Sequence, residues 1–235
     1  MKKTLSTTLL FTALIGSQMN ALAADSQLKT VEQQASYTLG ADLAKSFQQQ
    51  GVSIDIPALT LGLKDVINQT PLRLTETQMQ EAVNQVKQKV LAQQAEARKQ
   101  QAEENAQKGQ AFLAKNKKRE GVKVTSSGLQ YRVIEPGSGQ SPNEDDLLTA
   151  NYKGTLIDGT EFDSSYARGK PIEFQMGDVI AGWGEALKMM KPGAKWEIYV
   201  PPALGYGAKG AGDIIGPNET LIFTIELIKA TPSGA

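Results

Sequence analysis

The 235-residue chain carries 25 basic and 25 acidic residues and contains neither cysteine nor histidine. Thiol nucleophiles, serine-histidine relays, disulfides and cysteine/histidine zinc sites are thereby excluded, and no basic excess points to nucleic acid. The length allows one large domain or two smaller ones.

The N-terminus reads as an export signal. Lys2 and Lys3 precede a mainly apolar run from Leu5 to Ile15, and Ala21-Leu22-Ala23 supplies the small residues a signal peptidase needs. Cleavage is predicted after Ala23, which makes 1–23 a signal peptide. An uncleaved anchor is the competing reading, but about eleven residues interrupted by Ser6, Thr7, Thr8 and Thr12 fall short of the roughly 20 that span a bilayer. The expected location is the bacterial periplasm, with outer-membrane or cell-surface association as a further option.

Residues 24–74 read as a helical region. Val31, Ala35, Leu39, Leu43 and Phe47 recur at helical spacing up to Gly51, and a second helix runs from Pro57 through Leu61 and Val66 to Gln69. From Thr75 to about 117 a long helix is expected. Thr75-Glu76-Thr77-Gln78 fits a capping box, and Met79, Val83, Val86 and Val90 form one apolar stripe. Beyond Leu91 that stripe fades. Between Ala92 and Gly109 the only apolar side chains are alanines, among strong helix formers interrupted by Asn105. The reading is a solvated rod on the order of 60 Å long, packed along its first half and spacing along its second; a disordered polar linker is the alternative. Two helices and half a stripe make a thin core, so a homodimer that pools these apolar faces is expected.

After Gly121 the pattern becomes β. Leu129, Tyr131 and Val133 alternate before Pro136-Gly137, two strands flank Asp158-Gly159 as a hairpin, and "AKWEIYVPP" and "TLIFTIELIKA" add two more. One short helix, Trp183 to Met190, ends at Lys191-Pro192-Gly193. Residues 118–235 are therefore expected to form an antiparallel sheet with one helix packed on it. The fold class is α+β.

Two apparent motifs fail on context. Gly205-Tyr-Gly-Ala-Lys-Gly210 matches a dinucleotide fingerprint by letter, yet Pro201-Pro202 interrupts the strand before it, and Gly212 and Pro217 spoil a helix after it. Glu161 with Asp163, or Asp158 with Asp163, could suggest glycoside hydrolysis, but turn-forming Asp and solvated Glu are much commoner than acid/base pairs.

Several blocks in order carry a resemblance: Tyr152-Lys-Gly-Thr-Leu, Asp158-Gly-Thr-Glu-Phe-Asp-Ser-Ser, Val179-Ile-Ala-Gly-Trp-Gly-Glu-Ala-Leu, Gly205-Tyr-Gly and Asn218-Glu-Thr-Leu-Ile-Phe. The span 122–230 resembles the FKBP family of peptidyl-prolyl cis-trans isomerases, and the whole organisation resembles its macrophage infectivity potentiator (Mip) subgroup. The resemblance implies a five-stranded antiparallel sheet wrapping a short helix, a homodimer made by the N-terminal part, proline-containing polypeptide clients, and tacrolimus or rapamycin as inhibitors. It implies no cofactor and no metal. By matching position, Asp163, Tyr206, Phe162 and Trp183 would be the catalytic residues. Tyr152, Val179, Ile180, Phe223, Phe174, Ile172, Arg168 and Ile215 would bind substrate or inhibitor. Trp183 would be the floor, and Tyr206 and the Ile180 N–H would donate to peptide carbonyls. Ile172 and Ala211 depart from the family pattern, where many members carry an aromatic and some a histidine. Taken singly, each aromatic is more often core than site; the set is what points to a pocket. Asp163 is expected to hold Tyr152 and Arg168 in place as an acceptor, the competing role being that of a proton donor. A non-catalytic dimeric chaperone or surface interaction protein is the alternative function.

Overall fold

The computed structural model describes residues 28–232; the signal sequence expected over 1–23 lies outside them. The chain divides between Leu91 and Ala92 into two compact units.

In the first unit, α1 spans Val31–Gln49 and opens with a capping box between Thr30 and Gln33. It ends just before Gly51, whose φ of +69° is a left-handed conformation that glycine adopts without a Cβ clash. Helix α2, Ile56–Ile67, starts on an Asp55 cap, with Pro57 in its first turn. Asp65 is buried and accepts from Arg73 at 2.9 Å. Helix α3, Glu76–Asn116, begins with the expected box: the Thr75 N–H donates to Gln78 at 2.9 Å and the Gln78 N–H to the Thr75 hydroxyl at 3.3 Å. No apolar side chain of 28–91 is buried in the single chain, and Val31, Leu39, Val66, Ile67 and Val83 are widely exposed.

The second unit is built on seven antiparallel strands: β1 (Val122–Val124), β2 (Gln130–Pro136), β3 (Leu147–Leu156), β4 (Glu161–Ser164), β5 (Ile172–Phe174), β6 (Ala194–Val200) and β7 (Leu221–Thr231). Their order is β1-β2-β6-β7-β3-β4, with β5 also on β3. Seven strand segments replace the five expected. A short edge strand, Val122–Val124, pairs with β2, and one row beside β3 is interrupted, so that β4 pairs with residues 153–155 and β5 with 148–150. Both additions are too short to show an alternating pattern. In the central strands the pattern holds: Leu221, Phe223, Ile225 and Leu227 all point into the core, and the inward phase of β3 is Leu148, Ala150, Tyr152, Gly154 and Leu156. Helix α4, Ala181–Met189, lays Trp183, Ala186 and Leu187 on that face.

The second half of α3 departs from the expected free rod. Asn105, Gly109 and Asn116 are buried against the sheet unit. Asn105 donates to the Pro217 carbonyl at 2.9 Å, Asn116 donates to Gln130 at 3.0 Å, and the Phe112 ring lies 6.0 Å from that of Tyr199. At Gly109 any Cβ would collide with the Thr220 side chain, so glycine sets the approach. The docking uses amides, a glycine and one ring, which leave no helical hydrophobic stripe to read.

Candidate active site

On β3, Tyr152 faces inward in the same phase as Leu156, and its backbone is held by Ser165: the Tyr152 N–H donates to the Ser165 hydroxyl at 2.9 Å and the Ser165 N–H to the Tyr152 carbonyl at 3.0 Å. The hairpin at Asp158-Gly159, with Gly159 at φ +92°, returns the chain so that Asp163 on β4 pairs with Gly154 on β3. Gly154 occupies an inward position because a Cβ there would lie 2.6 Å from the Phe162 ring and 2.9 Å from the Phe223 ring. Its absence of a side chain makes room for both aromatics.

Trp183, 4% exposed in the first turn of α4, lies beneath them. Three rings meet it edge-on: Tyr152 at 5.1 Å, Phe223 at 5.3 Å and Phe174 at 5.7 Å between centroids, while Phe162 meets Phe223 at 5.5 Å. Such T-shaped contacts fix ring orientation as well as burying area. A cleft of about 580 Å³ opens above, lined by Tyr152, Phe162, Asp163, Ile172, Val179, Ile180, Trp183, Tyr206, Ile215 and Phe223 together with Gly177, Asp178, Ala211 and Gly212. Of the residues expected at the site, Phe174 and Arg168 do not line it. Phe174 is buried behind Trp183, and Arg168 stands outside, bonded to two residues of the wall.

That bonding forms the polar edge. The Tyr152 hydroxyl and Arg168 both donate to the Asp163 carboxylate, Arg168 also donates to the Tyr152 hydroxyl at 2.7 Å, and the Ser164 N–H donates to Asp163 at 2.8 Å. The guanidinium lies 5.4 Å from the centre of the Tyr152 ring. Burial pushes the Asp163 carboxyl upward, but the bonds from Tyr152 and Arg168 and the Arg168 charge outweigh it and hold its pKa below the ordinary 3.8. Burial raises the Tyr206 phenol, and the Asp163 charge raises it further. Asp163 is therefore an ionised acceptor and Tyr206 a neutral donor over the physiological range. The other carboxylates have separate duties. Asp158 accepts from the Thr160 N–H in the turn, and Glu161 pairs with Lys153 at 2.9 Å on the surface.

Tyr206 stands half-exposed on a loop of two single 3-10 turns, 202–204 and 207–209, so no helix follows the glycine-rich run and the dinucleotide reading has no support. The loop closes on itself through the Asn218 N–H to Gly207 carbonyl bond at 2.8 Å and the paired bonds of Ala211 with Ile215. Ile180 caps α4, with its N–H outside the helix ladder while its carbonyl accepts from Trp183 and Gly184.

Comparison with known proteins agrees with this arrangement. Residues 138–228 match the family described as FKBP-type peptidyl-prolyl cis-trans isomerase, and residues 32–133 match the domain amino terminal to it. The outer membrane protein MIP of Legionella longbeachae is 45% identical over 219 residues, covering 92% of this chain and 94% of that one. The chain belongs to the FKBP family of peptidyl-prolyl cis-trans isomerases. The peptidyl-prolyl cis-trans isomerase Mip of Coxiella burnetii is 45% identical over 201 residues, 86% of this chain and 87% of its own. The crystal structure of FkpA from Escherichia coli superposes with a TM-score of 0.73 at 36% identity, covering 87% of this chain and 99% of that chain.

Within this FKBP-type isomerase, Gly154 and Ser165 shape the cleft although sequence reasoning singles out neither as a site residue. Gly154 is legible as a glycine in the inward phase of a strand. Ser165 gives no sequence signal apart from its place after Ser164, because its value lies in a long-range bond to β3. Among the described residues no helix is long and apolar enough to cross a membrane.

Proposed function

We propose that the chain accelerates rotation about Xaa-Pro bonds of exported proteins in the cleft above Trp183, with no covalent or metal step. Rotation must cross about 18–20 kcal/mol of lost amide resonance. The twisted amide is less charge-separated than either planar form, so an apolar cleft destabilises the planar states relative to it. The Tyr206 hydroxyl and the Ile180 N–H clamp the flanking carbonyls, while Asp163 holds Tyr152 and Arg168 in position. A hundred-thousandfold acceleration requires about 7 kcal/mol, which desolvation, the two donors and selection of a turn-like peptide share.

The observation that carries this reading is the apolar cleft itself, in which the Tyr152, Phe162 and Phe223 rings stand over the buried Trp183 and the half-exposed Tyr206 hydroxyl lies at the edge. The uncovered apolar side chains of α1 and α2 support homodimerisation through residues 24–74, and the same surface supports client holding. One relative described as an outer membrane protein and the alanine-rich predicted cleavage site support export. Tacrolimus and rapamycin are expected to occupy the cleft.

The test is cis-to-trans conversion of a Leu-Pro peptide by residues 24–235. Tyr206→Phe is expected to lower kcat/KM roughly tenfold with an unchanged melting temperature, since one hydrogen bond made on the ligand is lost. Rapamycin is expected to block the wild-type rate. No acceleration by folded protein overturns the reading in favour of a holding chaperone.

A further inference from the structure

Asn105 is the one poor helix former between Ala92 and Lys108, a local cost that packing must offset. It is 8% exposed, faces the loop that carries Tyr206, and donates to the buried Pro217 carbonyl at 2.9 Å. The loop answers: the Asn218 amide donates back to the Ala102 carbonyl at 3.4 Å, and Arg98 donates to the Lys209 carbonyl. Between these bonds Gly216 lies so close to the helix that a Cβ would stand 3.0 Å from Gln101 and 3.1 Å from Asn105. Helix α3 therefore grips this loop on both sides of its tip. The grip leads to Tyr206 in two steps, because Asn218, held at φ +54°, donates its N–H to the carbonyl of Gly207, the residue after Tyr206.

We propose that Asn105 is a positioning residue for catalysis: through Pro217 and Asn218 it fixes the backbone on which Tyr206 is presented to the substrate. This rests on the reading that Tyr206 is a donor in the cleft. The cost of misplacing such a donor is steep, since a shift of about 1 Å can reduce a rate up to a hundredfold. The same helix supplies an internal control. Asn116 is also a buried asparagine with an amide bond, but that bond runs to Gln130 on β2 and away from the loop.

The experiment uses the chain 24–235 with Asn105→Ala, Asn105→Asp, Asn116→Ala and Asn218→Gly, the last keeping the positive φ while removing the amide. Melting temperature and kcat/KM on a Leu-Pro peptide are read for each, alone and with Tyr206→Phe. Both alanine variants should melt lower. Only Asn105→Ala should lose rate, roughly five- to tenfold, with Asn105→Asp at least as poor because its carboxylate confronts the Pro217 carbonyl. Asn218→Gly should lose a few-fold with little change in melting. Adding Tyr206→Phe to Asn105→Ala should cost almost nothing more, since the donor is already misplaced. Equal rates for wild type and folded Asn105→Ala and Asn218→Gly overturn the proposal, as does full additivity with Tyr206→Phe. If Tyr206→Phe alone leaves the rate unchanged, the failure lies in the reading of the cleft instead.

Discussion

Residues 28–91 and residues 92–232 solve the burial problem in opposite ways. The sheet unit closes a core of its own, in which Leu148, Ile198, Leu221, Ile225 and Leu227 are fully buried along with Ala186 and Leu187 of α4. The helical unit buries no apolar side chain in the single chain, and Leu39 remains 72% exposed. A short helical segment has too little interior to cover its own apolar faces, whereas a sheet with a helix laid across it does. The unit carrying the cleft is thus self-sufficient, and the other calls for a second surface.

The strongest attack on the self-sufficient unit is Trp183→Ala. Its ring contacts with Tyr152, Phe174 and Phe223 would vanish together, and a loss of about 3–5 kcal/mol is expected, visible in chemical denaturation along with a collapse of isomerase rate. An unaltered midpoint would show that this ring is not a core element.

The helical unit is challenged by Leu39→Glu. A charge in the expected dimer face should weaken self-association about a hundredfold in sedimentation, while the rate on a short Leu-Pro peptide stays at the wild-type level. Loss of rate with dissociation would mean that the two units are not functionally separate.

A finer probe of the cleft is its pH profile. The folded pKa of Asp163 is depressed, so its contribution is present above the ordinary carboxylate value and is lost only as pH falls through the lower folded value. The folded pKa of Tyr206 is raised, so its hydroxyl stays a donor until pH climbs through a value above 10.0. The kcat/KM profile should therefore be flat from about pH 5 to 9, with Asp163→Asn only a few-fold slower. An acidic limb within that window, absent from Asp163→Asn, would make Asp163 a proton donor.

The two halves of α3 show where sequence reading succeeds and where it stops. Met79, Val83, Val86 and Val90 announce an apolar stripe, yet Val83 and Val86 are exposed in the single chain. The half with only alanines up to Gly109 is the one that docks. Periodicity reports apolar side chains, and this contact is made by Asn105, Gly109 and Asn116, whose value depends on partners more than a hundred residues away in the case of Pro217. The edge strand Val122–Val124 and the split between β4 and β5 are hidden for a related reason, since three-residue strands are specified by their neighbours. The resemblance points to Arg168 as a binding residue, but its place outside the cleft follows from a loop geometry that no local pattern encodes.

Local chemistry along the chain was enough to determine the absence of thiol and imidazole catalysis, the start of α2 around Pro57 and the capped start of α3, the Asp158-Gly159 hairpin and the inward phase of the central strands. Each depends on residues within a few positions of one another, where φ preferences, caps and alternation act directly. The tertiary structure decided the rest: the room Gly154 leaves for two rings, the Ser165 tie to Tyr152, the depressed Asp163 carboxyl and the grip of α3 on the Tyr206 loop. These are contacts between distant segments, and their energies exist only once the chain has folded to bring them together.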